Sequence, residues 1–491
     1  MQNQDNSVWV ESLKLENFRG FKQLSLQFSE QPIIVFFGEN GAGKSTILDA
    51  IAFSLEATVD FLLSDGKKFN PLIDHENIGH YESNTQISIN TYFYKNIFPI
   101  NYSIDKTKNY YELESDLTSN KFYYYTQLEE INRKSENFKR KQLNTVINSK
   151  EVLSKYPAEK QTRKLIEYLL VNFNNKSLPL FLYYSVSRSV SHSSLKQKSH
   201  INSLKNVTES DAYKGAFQAT THFNDFFNWY KILEDQENEK KSQILTEILN
   251  NNKLIDDYKE KLKTKISFVR QAIYSFIPYL SNIRVVREGS SNIRVLADKN
   301  GKEYDLEQLS QGEKILLSMV GDIALRLVIL NPKLKQPLSG SGVVLIDEID
   351  LHLHPRWQRH ILKNLHATFP NCQFIVTTHS PQVLGEAKAA DVFFLGSNEN
   401  GDLEAEKIEH IYGKNSNEIL EYFMQTSSRN REVDERLNIL LENIQDCKFS
   451  EVNTQLSDLE TILGVNAPAL IKARLWLKKM KLRHAKDNKR S

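Results

Sequence analysis

Cysteine is almost absent from this sequence: Cys372 and Cys447 are the only two, 75 positions apart and outside any CxxC pair. That spacing argues against both a disulfide framework and a zinc hook. Long apolar runs are missing as well. The longest, such as LPLFLYY (178–184), fall far short of the ~20 residues that a membrane helix needs. The opening MQNQDNSVWVESLK has no basic segment followed by an apolar core, so a cytoplasmic protein with no membrane partner is expected. Net charge is also missing: 63 Lys and Arg against 61 Asp and Glu leave +2. A polyanion partner would therefore have to meet a local patch. There is no internal repeat and no low-complexity tract. What remains is a chain of 491 residues, 40% apolar and 25% charged, a globular composition with enough material for two to four domains.

Residues 9–37 alternate apolar and polar positions and predict two or three strands. GENGAGKST follows, then a helix with Ile47, Leu48, Ile51 and Leu55 on one face. Shorter strands rich in Tyr and Phe are expected over 85–112. From 113 to 280 the composition shifts to Lys, Glu, Asn and Tyr, which reads as helical insertions around one core strand at 178–186. Within this stretch Phe223, Phe226, Phe227 and Tyr230 recur at helical spacing and predict a packing face. Strand signals return at 281. The final eighty residues read as polar helices, and nine basic residues lie between Lys472 and Arg490 with only Asp487 against them. This basic tail is either a solvated face or a contact for phosphate backbone or a partner.

Four motifs carry chemistry. Gly38-Glu39-Asn40-Gly41-Ala42-Gly43-Lys44-Ser45 satisfies GxxxxGK[ST], with Thr46 next. In such a loop the glycines turn backbone N–H groups toward phosphate oxygens, Lys44 reaches the β and γ phosphates, and the Ser45 hydroxyl meets Mg²⁺. VVLIDE (343–348) is an apolar strand ending in two carboxylates. Its Asp347 suits the Mg²⁺ water shell and Glu348 suits polarisation of the attacking water. His352 and His354 form an HxH, but a catalytic zinc site needs a third protein ligand and none stands nearby in the sequence. FIVTTHSP (374–381) places His379 at a strand end as a γ-phosphate sensor, with Ser380 and Pro381 capping the next helix. LSQGEK (309–314) is a capping box, Ser310 with Glu313, opening a helix with Ile315, Leu316, Met319, Ile323 and Leu327 on its apolar face. Gly312 in the first turn costs up to ~1 kcal/mol against alanine, so something is expected to approach the backbone there, for which a phosphate is suited.

In this order the motifs resemble the ABC-type ATPases of the SMC, RecF and OLD group, and LKLENFRGF looks like that group's first strand. The resemblance implies an α/β fold: an ABC-type P-loop NTPase head, a mixed sheet flanked by helices, with a helical insertion and a C-terminal helical extension. The implied domains are 1–115 and 281–410 for the two parts of the head, 116–280 for the insertion and 411–491 for the helical extension. It also implies ATP and Mg²⁺ as ligands, a D-loop at Asp350, a switch histidine at His379, and Asn17 and Arg19 beside the nucleotide. Gln86 is a candidate for the glutamine-loop residue. Ser310 and Gly312 of one copy would meet the γ phosphate held by another, so ATP hydrolysis requires at least a dimer.

Within this group, LYYSVSR, FNDFFNWYKILEDQENEK, DLHLHPRWQRHIL, FPNCQFIVTTHSPQVL and LETILGVNAPALIKARLWLKK are similar to the PtuA ATPases of Septu and certain retron anti-phage systems. That implies a regulatory ATPase in a higher homo-oligomer that controls a separate HNH nuclease subunit like PtuB. No HNH-like His/Asn array occurs in this sequence. DNA is a further candidate partner, and a repair or recombination ATPase acting on DNA ends is the alternative. A fused Toprim nuclease is disfavoured, since the 112 residues after His379 read as helical and lack a DxD motif.

Overall fold

The computed structural model describes residues 8–63, 84–93, 96–105, 110–114, 121–125, 178–186, 209–217, 223–251, 264–288 and 292–487. Much of the expected helical insertion, at 126–177 and 187–208, lies outside the described residues, as do Lys489 and Arg490 of the basic tail. Strand β1 (Val8–Phe18) buries Val8 and Val10, then Leu13 and Leu15 after the alternation changes phase at the irregularity between Val10 and Ser12, and ends on buried Phe18. A two-residue turn, Arg19-Gly20, returns it into β2 (Phe21–Gln27), with Phe18 opposite Phe21. The next strand, β3 (Ile33–Gly38), is buried at every position, the pattern of an interior parallel strand covered on both faces. It leads through the glycine loop into α1 (Lys44–Leu63), whose Ile47, Leu48, Ile51 and Leu55 are fully buried.

Strands β4 (Asn84–Phe93), β5 (Asn96–Asp105), β6 (Tyr110–Glu114) and β7 (Lys121–Tyr125) extend the first hairpin into a six-stranded antiparallel sheet ordered β2-β1-β4-β5-β6-β7. The β6–β7 ladder crosses residue 115, where a domain boundary was expected. YYELE and KFYYY are aromatic segments that suit a pleated surface, and the Lys- and Asn-rich surroundings masked that signal. After β8 (Leu180–Tyr184), the expected core strand, come α2 (Phe223–Asn251) and α3 (Lys265–Phe276). Then β9 (Leu280–Glu288), β10 (Asn292–Lys299) and β11 (Lys302–Asp305) form a separate three-stranded antiparallel sheet.

Helix α4 (Gln311–Leu330) precedes β12 (Gly342–Ile346), α5 (Pro355–Gln358), α6 (Ile361–Thr368), β13 (Cys372–Thr378), α7 (Pro381–Gly385), β14 (Ala390–Ser397) and β15 (Leu403–Ile408). The central sheet runs β15-β14-β3-β13-β12-β8 and is parallel except for β15. The glycine loop, the acidic pair and His379 follow β3, β12 and β13, so all three leave the carboxyl edge of one parallel sheet, where α/β folds bind ligands. A buried glutamine joins this sheet to the antiparallel one. Gln373 of β13 accepts the Val10 N–H at 2.8 Å and donates to the Val10 carbonyl at 3.1 Å, beside the irregularity between Val10 and Ser12.

Helix α4 is buried almost all round rather than on the single face the sequence suggested. It is packed by α2, α3 and β8 together. The packing of α2 on it is close enough that a Cβ on Gly321 would lie 2.3 Å from the Phe226 ring, so Phe226, Phe227 and Tyr230 are core residues, as their spacing predicted; the side chain of Phe223 lies outside the described part. The acids that follow them have a structural purpose as well. Arg270 of α3 donates to Glu234 and Glu237, each at 2.6 Å, and to Tyr230 Oη at 2.9 Å. Glu234 also accepts the Val285 N–H, and Tyr230 donates to the Ile283 carbonyl. Arg270→Ala strands two buried carboxylates, a change that typically costs about 3–5 kcal/mol. A clearly lower apparent Tm is the expected result in a thermal melt, and an unchanged one contradicts the importance given to this cluster.

Among the described residues, those from Asn415 to Asp487 form a second compact unit. Its helices α8 (Arg431–Gln445), α9 (Phe449–Leu463) and α10 (Pro468–Asp487) bury Leu437, Leu440, Ile444, Val452, Leu459 and Leu470 among themselves. Among the described residues, no helix is long and apolar enough to cross a membrane.

Candidate nucleotide site

The glycine loop is shaped by its neighbours. Gly38 faces the Leu395 carbonyl, 2.1 Å from where a Cβ would stand, because β14 runs against it. Gly43 has φ +88°, and its Cβ would meet the Phe21 ring at 2.6 Å, so the first hairpin packs onto the loop. Gly41, at φ +84°, has open space around it. Lys44 is 7% exposed and donates to the Gly38 carbonyl at 3.0 Å and the Glu39 carbonyl at 2.7 Å. Burial lowers its pKa, and the carboxylates of Asp347, Glu348 and Asp350 only partly offset that effect. The loop and the acidic strand end are thus one electrostatic site.

The acids are held by a pair of threonines at the end of β13. Thr377 Oγ1 donates to Asp347 at 2.5 Å and accepts the Glu348 N–H at 2.6 Å. Thr378 Oγ1 donates to Asp350 at 2.5 Å, and Asp350 also accepts the His379 N–H. Glu348 lies in the left-handed region at φ 47°, a conformation that costs of order 1 kcal/mol or more for a residue with a side chain. The Thr377 hydroxyl and the Ile349 N–H bond to the Thr377 carbonyl hold the turn. His379 is partly buried. Burial, then the Lys44 ammonium, outweigh the nearby carboxylates and keep its pKa below the ordinary imidazole value, so near neutral pH the ring is uncharged.

The other predicted residues fall into three groups. Ser310 caps α4 in the predicted box: its hydroxyl donates to Glu313 at 2.8 Å and accepts the Glu313 N–H at 3.4 Å. Gly312 is approached from within the chain. A Cβ there would lie 2.6 Å from the His352 carbonyl, so the contact is the backbone that follows Asp350. His354 Nδ1 accepts the Arg356 N–H and caps α5, while Ser380 caps α7 with Pro381 in its first turn, as predicted. Arg19 has φ 49° and is bound by Asp49 of α1 at 2.5 Å, and Tyr183 donates to the same carboxylate at 2.7 Å. Gln86 pairs with Glu16 in the β1–β4 ladder. The Ser45 hydroxyl and the Asp347 carboxylate are hard oxygen donors of the kind Mg²⁺ takes alongside waters and phosphate oxygens.

The AAA ATPase domain model matches residues 9–384, a span that holds the loop, the capping box, the acidic strand and His379. The chain belongs to this family. It is an ATPase. The AAA ATPase is 31% identical to the retron Vc95 probable ATPase of Vibrio cholerae over 86% of its own length and 79% of that protein. It is also 31% identical to the retron Ec83 probable ATPase of Escherichia coli, over 90% and 80% of the two chains. A Septu protein PtuA from Bacillus mycoides is 39% identical over 94 residues, 19% of this chain and 13% of that one.

The motif reading of this AAA ATPase missed Thr377, Thr378 and Asp49. For the threonines a signal was present: two hydroxyls ending a fully buried apolar strand must find partners, and the nearest acids are those of the neighbouring parallel strand. Asp49 gives no such sign, since a single acid five positions into a helix is ordinary.

Proposed function

We propose that this ATPase is the regulatory subunit of an anti-phage defence complex, in which ATP binding and hydrolysis by self-associated copies control a partner nuclease of the HNH class. The similarity to two retron ATPases over almost the whole chain carries this reading. In it, the backbone around Gly38, Asn40, Gly41 and Gly43 cradles the phosphates. Lys44 leaves the Gly38 and Glu39 carbonyls for the β and γ phosphates, and Thr46 extends the loop's contacts. Ser45 and Asp347 hold Mg²⁺, which supplies charge neutralisation of the triphosphate. Glu348 orients and polarises water, and neutral His379 donates a hydrogen bond to the γ phosphate. Arg19 exchanges Asp49 for the nucleotide. Ser310 and Gly312 of one copy complete the site of another.

The test is a native pull-down of the Glu348→Gln chain from its own host with ATP and Mg²⁺, followed by mass spectrometry. A stoichiometric HNH protein is the expected result. Recovery of DNA with no nuclease overturns this reading in favour of a DNA-repair ATPase.

A further inference from the structure

The capping box at Ser310 has more partners than capping requires. Glu313 is 7% exposed, and its carboxylate takes hydrogen bonds from the Ser310 N–H at 3.1 Å and the Ser310 hydroxyl at 2.8 Å. Two further donors come from outside α4. Tyr279, between α3 and β9, donates to Glu313 Oε1 at 2.7 Å. Lys299, at the end of β10, bonds to Oε1 at 2.8 Å and Oε2 at 3.0 Å, with its ammonium near the Tyr279 and Tyr304 rings. Tyr279 also meets Trp357 of α5 edge to face at 5.9 Å, and the indole stacks on Phe276. The first turn of α4 is thus held between the three-stranded sheet and the segment after Asp350, whose His352 carbonyl lies against Gly312.

We propose that Lys299 and Tyr279 are positioning residues for the LSQGEK turn: they fix and neutralise the Glu313 carboxylate, so that Ser310 can meet a phosphate held by a second copy. The inference rests on the composite site proposed above. An uncompensated carboxylate one turn from the phosphate would repel it, and would also bind the Ser310 hydroxyl without competition. The three-stranded sheet, which has no catalytic motif of its own, thereby acquires a purpose: it carries the cation that makes an acidic residue tolerable at an anion-binding helix end.

Steady-state ATPase kinetics on the full chain, with fluorescent-nucleotide affinity measured separately, test this. Lys299→Met is expected to lower kcat about 10- to 100-fold, and Tyr279→Phe by less, as for loss of hydrogen bonds to a buried charge. Nucleotide affinity should stay within about twofold, because each copy's own loop is untouched. Lys299→Arg should retain activity. Glu313→Gln placed in the Lys299→Met background should restore much of the loss, since it removes the charge left uncompensated. A merely structural role predicts that kcat and the apparent Tm fall and recover together, so a loss of kcat that only tracks a loss of Tm, or a double variant as impaired as the single one, overturns the inference. Ser310→Asp preserves the cap but adds charge, and separates the two levels. If it abolishes turnover while Lys299→Met does not alter kcat, the positioning role fails and the composite site stands. If Ser310→Asp leaves turnover intact, the composite site itself fails and the inference falls with it.

Discussion

Glu348→Gln is expected to reduce ATP turnover by at least about 10²-fold, the lower end of what a positioned general base contributes, while ATP remains bound and copies accumulate in an associated state. The geometry makes this substitution unusually clean. Glu348 is held by its main chain, through the Thr377 hydroxyl at 2.6 Å and a φ of 47°, and neither depends on the charge of the side chain. Gln keeps the shape and the backbone turn and removes the ability to accept a proton, together with the negative charge that acts on Lys44 and His379. Single-turnover hydrolysis and light scattering with ATP and Mg²⁺ read the two effects separately. Unchanged turnover removes Glu348 from the catalytic role. Lost turnover together with lost nucleotide affinity shows that the carboxylate instead shapes the pocket, for instance through its attraction to Lys44.

How far the sequence anticipates this site depends on the range of the interaction concerned. The P-loop, the capping box and the Ser380-Pro381 helix start are local devices, complete within a few residues, and all are found where the pattern places them. The strand ending at Asp347 and Glu348 is equally local: an apolar run with two acids at its end. What escapes pattern reading is who holds whom across the sheet. Gln373 is joined to Val10 across 363 positions, and Thr377 reaches back 30 positions to Asp347. No periodicity encodes such pairs. Gly312 is the instructive intermediate case. The cost of a glycine in a first turn correctly signals a close approach, but the approaching group is the His352 carbonyl of the same chain. A phosphate need not be invoked to explain that residue, so of Ser310 and Gly312 only Ser310 speaks for a composite site.

Replacing Lys44 by Met should separate stability from binding. In the structure the ammonium is buried against two loop carbonyls, and burial lowers its pKa despite three acids nearby. A lysine whose folded-state pKa lies below its unfolded value carries its charge at a cost to the fold, so removing it should leave Tm unchanged or slightly raised. Nucleotide binding should respond in the opposite sense. Without the cation, a triphosphate would enter a crevice facing Asp347, Glu348 and Asp350 with no countercharge from the loop. Losing a charge-assisted contact of this kind costs about 2–4 kcal/mol, or roughly 30- to 1000-fold in Kd. A thermal melt paired with calorimetric titration of ATP measures both. A variant that melts earlier and also binds poorly would identify Lys44 as a structural prop of the empty loop. One that melts normally and still binds ATP tightly would mean that the phosphates do not lie in this loop at all. The expected pairing, intact fold with lost affinity, means that the chain bears the desolvation of Lys44 in its empty state so that the ammonium is already in place when the phosphates arrive.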